Sequence, residues 1–292
     1  MKTKEQKELL KKCRHKAEMP FTIGAILLTV LLVALVIFLF RSVGGENPWA
    51  EELLMNELEL GEKEIAFAQK CGKLLLIVIV AVLVLNLLWE LFKNAGIAMV
   101  NDIPVDEEAC PELFAEYRQH CERLGIRNVP RLMLAADTGN LEDTGIKLKS
   151  NRYLRTDLFG IGYDDSMTRF DIVHDLADIA YRHYDYPILI ATIAARWLPI
   201  VKNLYSRVMC YSSDRLAAEL MGREECITAL LRKYLNAAYD EDQREEYVKR
   251  LDRELTPIER VSAVLNNLST DTPSYLYRLQ ALVRDDNRGR II

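Results

Sequence analysis

A helix-rich α+β domain with a small sheet, carried behind two transmembrane helices, is the fold class that this 292-residue sequence predicts. Three observations lead there. Two apolar runs are long enough to cross a bilayer, helical periodicity dominates the chain after residue 94, and two short stretches of that region read as strands.

The first run, Pro20 to Phe40, reads PFTIGAILLTVLLVALVIFLF and holds no charge. A helix of about 20 apolar residues covers a hydrocarbon core of about 30 Å. The second run, Leu74 to Phe92, holds one Asn and has Glu90 near its end, with Trp89 placed for an interfacial belt. The first run is too long for a secretory h-region, and RSVGG after it is a poor cleavage site. The first nineteen residues carry Lys2, Lys4, Lys7, Lys11, Lys12, Arg14 and Lys16. Between the runs stand only Arg41, Lys63, Lys70 and Lys73, among many Glu. The positive-inside rule then places both the N-terminus and the main domain in the cytoplasm. The expected layout is a basic N-terminus (1–19), a span (20–40), an acidic outer loop (41–73), a span (74–92) and a cytoplasmic domain (93–292). Pro48 to Lys70 reads as a short acidic helix in the outer loop. The whole is expected in the plasma (inner) membrane, with the lipid bilayer as its first partner.

A net charge of −5 without a basic stripe argues against a nucleic-acid partner. The six Cys form no C-x-x-C pair and read as free thiols in a reducing compartment.

Within the domain, Asp106 to Leu124 is an amphipathic helix ended by Gly125. Val129 to Ala135 and Arg152 to Leu158 are the strand candidates, separated by a polar loop over 137–151. After the turn-like GIGYDDS, Ser166 or Thr168 caps the next helix. Helices follow at about 188–205, 205–221, 223–238, 241–252, 257–268 and 273–284. Tyr186 to Tyr205 is apolar, but Arg196, Pro199 and Lys202 interrupt it, so it reads as a buried or membrane-grazing segment.

The chemistry concentrates in RFDIVHDLADIAYRHYD, residues 169–185. His174 and Asp178 stand four residues apart on one helical face, with Asp175 beside them. This is the outline of H-E-x-x-H, in which two His hold zinc and the Glu activates water. A later helix reads YSRVMCYSSDRLAAELMG over 205–222. Together these segments resemble the HtpX-type membrane zinc endopeptidases, relatives of the CAAX prenyl endopeptidases. Ser206, Arg207, Tyr211, Asp214, Ala217 and Gly222 match the family's S-R-x-x-E-[FY]-x-A-D-x-x-A-x-x-x-x-G. RLGIRNVPRLMLA resembles the family's lead-in to its first strand. DTPSYLYRLQAL, residues 271–282, resembles its C-terminal segment with the His absent.

The resemblance implies a zincin-like fold over roughly residues 20–285. It also assigns positions: His174, Asp178 and Cys210 at the metal ligands, Asp175 at the general base and Asp214 in support. The departures fall on the chemistry, since Asp178 replaces a His while Asp175 and Cys210 replace Glu. Imidazole, carboxylate and thiolate all bind zinc. Asp and Cys nevertheless reach about 2 Å less far than the residues they replace, and ligand distances hold to about ±0.2 Å. A base withdrawn by about 1 Å can cost ~10²-fold in rate.

The expectation is a metal-free pseudopeptidase that binds membrane-protein clients. His174 and Asp178 would form an ion pair, Asp175 would be solvated or bonded to Arg207, and Cys210 would be a small core residue. An active zinc endopeptidase using these ligands, or a membrane-anchored signalling or structural module, are the alternatives. His183 lies on the face opposite His174, while His15 and His120 read as surface residues.

Overall fold

Caps and prolines set most element boundaries in the computed structural model, which describes residues 2–43, 62–101, 103–105, 107–108, 110–134, 153–156, 166–235, 239–251, 256–285 and 289. Helix α1, Lys4–Cys13, starts on a reciprocal capping box between Thr3 and Gln6. It is not a free basic tail. Leu10 and Cys13 enter the core, the Tyr181 hydroxyl donates to Leu10 O at 3.0 Å, and Lys2 Nζ donates to Ala180 O at 2.5 Å.

Helix α2, Glu18–Val43, contains the first predicted span, and its residues 18–42 are long and apolar enough to cross a membrane. Ile23, Leu27, Val30 and Leu31 are exposed along it. Helix α3, Glu62–Asn101, contains the second predicted span, 74–92. Residues 44–61, most of the predicted acidic outer helix, lie outside the described residues.

Helix α4, Pro111–Leu124, begins with proline and ends at Gly125 in the left-handed region, φ +67°. A Cβ on Gly125 would stand 2.5 Å from Gln6 Oε1, so this glycine also admits α1. Three short strands follow the order β1-β2-β3: Ile103–Pro104, Arg131–Leu134 and Tyr153–Thr156. The first pair is antiparallel and the second parallel. The two predicted strands are present, and β1 is an addition. The polar loop 137–151 and the GIGYDDS turn lie outside the described residues.

Helix α5, Ser166–Tyr181, stops at Arg182, whose φ of +65° is rare for a residue with a Cβ. The single helix predicted over 188–205 is three pieces: α6, Tyr186–Ala191; α7, Ile193–Trp197; and α8, Pro199–Met221. Pro199 lacks an amide hydrogen and suits a helix start, so α8 begins there and runs unbroken through residue 205. Helix α9, Arg223–Leu235, follows Gly222. A 3-10 turn, Glu241–Gln243, leads into α10, Arg244–Leu251, and then α11, Pro257–Ser269, and α12, Tyr275–Val283. Helix α5 packs on α8 and α9, and α12 closes against both. Phe170, Leu176, Ala177, Leu216, Ala217 and Leu230 form the fully buried centre.

Candidate functional site

The period of the helix assembles the site. His174 and Asp178 lie one turn apart on α5, as do Cys210 and Asp214 on α8, and the two helices face each other. His174 Nε2 stands 3.8 Å from Cys210 Sγ and 3.5 Å from Asp214 Oδ1. Cys210 Sγ is 4.0 Å from Asp214 Oδ2. These three residues form a group that could hold a metal ion, and His174, Asp175 and Asp178 form a second. Asp175 Oδ1 lies 3.7 Å from Nδ1 of His174, at the other nitrogen of the ring.

The first group is slightly wider than a zinc ion would set it, with sulfur 4.0 Å from the nearer Asp214 oxygen. Tetrahedral zinc, with nitrogen at about 2.0 Å and sulfur at about 2.3 Å, sets neighbouring ligand atoms roughly 3.3–3.8 Å apart. The donor set of one imidazole, one thiol and one carboxylate suits that ion. Asp214, expected only to support the site, stands among the possible ligands, and His174 belongs to both groups.

Arg278 of α12 forks onto Asp214, with Nη2 donating to Oδ1 at 2.6 Å and Nε to Oδ2 at 2.9 Å. Its guanidinium also lies over the rings of Phe170 and Tyr275. Burial favours a neutral Arg278, but Asp214 outweighs burial and holds it far above its ordinary value. Each carboxylate oxygen has a second lone pair, so this fork leaves Asp214 able to accept from the His174 side. Burial likewise pulls the His174 imidazole down, while Asp175, Cys210 and Asp178 outweigh it and push it up to about 10.

A second polar cluster adjoins the first. Asp178 Oδ1 accepts from the Ser213 hydroxyl and stands 3.0 Å from His183 Nδ1. His183 Nε2 lies 3.3 Å from Glu18 Oε1, and Arg14 Nε is 3.1 Å from the same oxygen. The Ser212 hydroxyl donates to Glu18 Oε2 and accepts from the His15 amide at 2.9 Å. Burial lowers His183, but Asp178 and Glu18 outweigh it and raise the imidazole above its ordinary value. The predicted second-ligand position thus touches the foot of α2 through one histidine.

One expectation needs correction. His15 and His120 are not surface residues, being 3% and 5% exposed. The α1–α2 junction is folded into the domain, which covers His15, and His120 faces inward on α4. Asp175 lies beside His174, and Arg207 donates to Thr270 O at 2.8 Å. His183, read as facing away from His174, falls past the end of α5 and joins Asp178 instead. Cys210 is buried, as a core residue would be, yet its sulfur borders the site.

Arg278 and Glu18 were not singled out in the sequence. A lone Arg inside the apolar YLYRLQAL, and an acid just before a long uncharged apolar run, are the signals that point to them. Comparison with protein-family models, with curated proteins and with solved structures finds no match for this chain.

Proposed function

We propose that this chain is a membrane-tethered protein whose peptidase-like cytoplasmic domain binds membrane-protein clients or partners without cleaving them. The observation that carries the reading is the division around His174. Cys210 and Asp214 approach Nε2, whereas Asp175, at the general-base position, approaches Nδ1. A base must stand within hydrogen-bond reach of the water it activates. A water activated for peptide hydrolysis would lie with the ligands at Nε2, across the ring from Asp175. Asp178 is meanwhile engaged by Ser213 and His183. The length and apolarity of α2 support the tether, and the basic N-terminus supports a cytoplasmic domain. The sequence resemblance supports clients in the membrane.

One observation favours a second reading. His174, Cys210 and Asp214 bring one imidazole, one thiol and one carboxylate together, a donor set that zinc accepts. These residues would hold it, and it would supply a Lewis acid within the α5–α8 contact. Metal analysis of the purified full-length protein, beside a His174→Ala variant, separates the two. No metal in either protein supports the metal-free reading. Near-stoichiometric zinc lost in the variant supports the metal-holding one.

A further inference from the structure

Residues 186–200, comprising α6, α7 and the start of α8, pack along α2. The contact climbs well above the domain. The Ala194 amide donates to Thr29 Oγ1 at 3.2 Å, and the Thr29 hydroxyl donates to Ala25 O at 3.0 Å. Lower down, the Tyr205 and Thr22 hydroxyls meet at 3.1 Å. Thr29 lies nine residues beyond Pro20, where the apolar run begins. At 1.5 Å per residue that is about 13 Å of rise, close to the middle of a hydrocarbon core about 30 Å thick. The chain therefore ascends beside α2 from Asp185 to Ala194 and descends again through α8.

The outer surface of this hairpin is apolar. Ile190, Leu198 and Ile200 are 60%, 48% and 55% exposed. Its charge is turned inward: Arg196 is buried, donates to Thr192 Oγ1 at 3.3 Å, and reaches down to His183 O at 3.4 Å. Arginines near a membrane surface extend their charge toward the water in this way. The broken backbone also finds partners. The Thr192 amide donates to carbonyls of α6, and Thr29 accepts from the Ala194 amide. Interrupted helices are tolerated at membrane depth only where protein satisfies the freed groups.

We propose that residues 186–200 form a re-entrant hairpin embedded in the cytoplasmic leaflet beside α2, with Ile190, Leu198 and Ile200 against lipid acyl chains. The proposal rests on reading α2 as a membrane span. It sets the candidate site directly beneath lipid, because His183 at the hairpin base touches both Arg196 and Asp178.

The chain has three Trp, and Trp197 lies at the hairpin tip. The test uses the full-length Trp49→Phe/Trp89→Phe protein in vesicles whose lipids are brominated deep in the acyl chain. Loss of most of the Trp197 emission is expected, with weaker quenching by lipids brominated near the headgroup. Ile190→Trp and Leu198→Trp, each on a background with all three native Trp changed to Phe, repeat the reading should the first variant fold poorly. Leu31→Trp on the same background reports on α2 itself. If that variant is quenched and the hairpin positions are not, the hairpin proposal is overturned and α2 remains a span. If none is quenched, both are overturned.

Discussion

Two histidines of this domain, His183 and His174, are held in different ways. Each ring nitrogen of His183 faces a carboxylate of its own, Asp178 at 3.0 Å and Glu18 at 3.3 Å. His174 offers one nitrogen to two separate groups, Cys210 and Asp214, at 3.8 and 3.5 Å, and the other to Asp175 at a loose 3.7 Å. The first arrangement is a latch, since one ring joins Asp178 of α5 to Glu18 at the foot of α2. The second is open, with donor atoms converging at distances that an ion or a proton can occupy. A family resemblance drew attention to both Asp178 and His174. His174 belongs to both candidate metal groups, while Asp178 belongs to one of them and is also engaged in the latch.

The largest effect is expected from breaking the latch. Asp178→Ala leaves His183 and Glu18 with an uncompensated buried partner, which costs about 3–5 kcal/mol. Thermal unfolding in detergent should show the largest drop of the series, and a loss below about 1 kcal/mol would remove the distinction between the clusters. Asp214→Ala strands the buried Arg278 and is expected to cost about 3 kcal/mol. Asp214→Ala/Arg278→Met should recover part of that loss, and strict additivity would argue against the fork seen here. His174→Gln removes the open histidine, at a cost that depends on pH.

The most informative effect is the pH dependence of that last difference. The folded-state value of His174 is about 10 against an ordinary 6.5. Its stabilisation is therefore fully present below about pH 6.5 and lost as pH rises through about 10. The gap between wild type and His174→Gln should narrow over that window. His183 is raised as well, so only the difference between the two proteins isolates His174. A gap that stays flat with pH points to an imidazole already deprotonated, as a metal requires.

Much of the fold was legible because it follows from local rules. The long apolar helix α2, the helix over 257–268 and the Gly125 stop need only composition and spacing. The strands at 131–134 and 153–156 were visible as short apolar runs. The segment 188–205 was misread as one helix because its apolar period continues across Thr192 and Pro199, where the backbone turns. At the site, His174, Asp178, Cys210 and Asp214 could be picked out from helical spacing and resemblance. Their partners could not. Arg278 lies 64 residues from Asp214, and His183 lies 165 residues beyond Glu18. Only the packing of α1, α2 and α12 on the α5–α8 pair brings them in.

The most direct test of the non-cleaving reading is a proteolysis assay on the full-length protein in lipid, loaded with zinc, against an unfolded protein substrate. A division of the base from the ligands around His174 predicts no cleavage, with or without zinc. Zinc-dependent cleavage that disappears in Asp175→Ala would show that Asp175 does reach the reacting water, and would contradict the account.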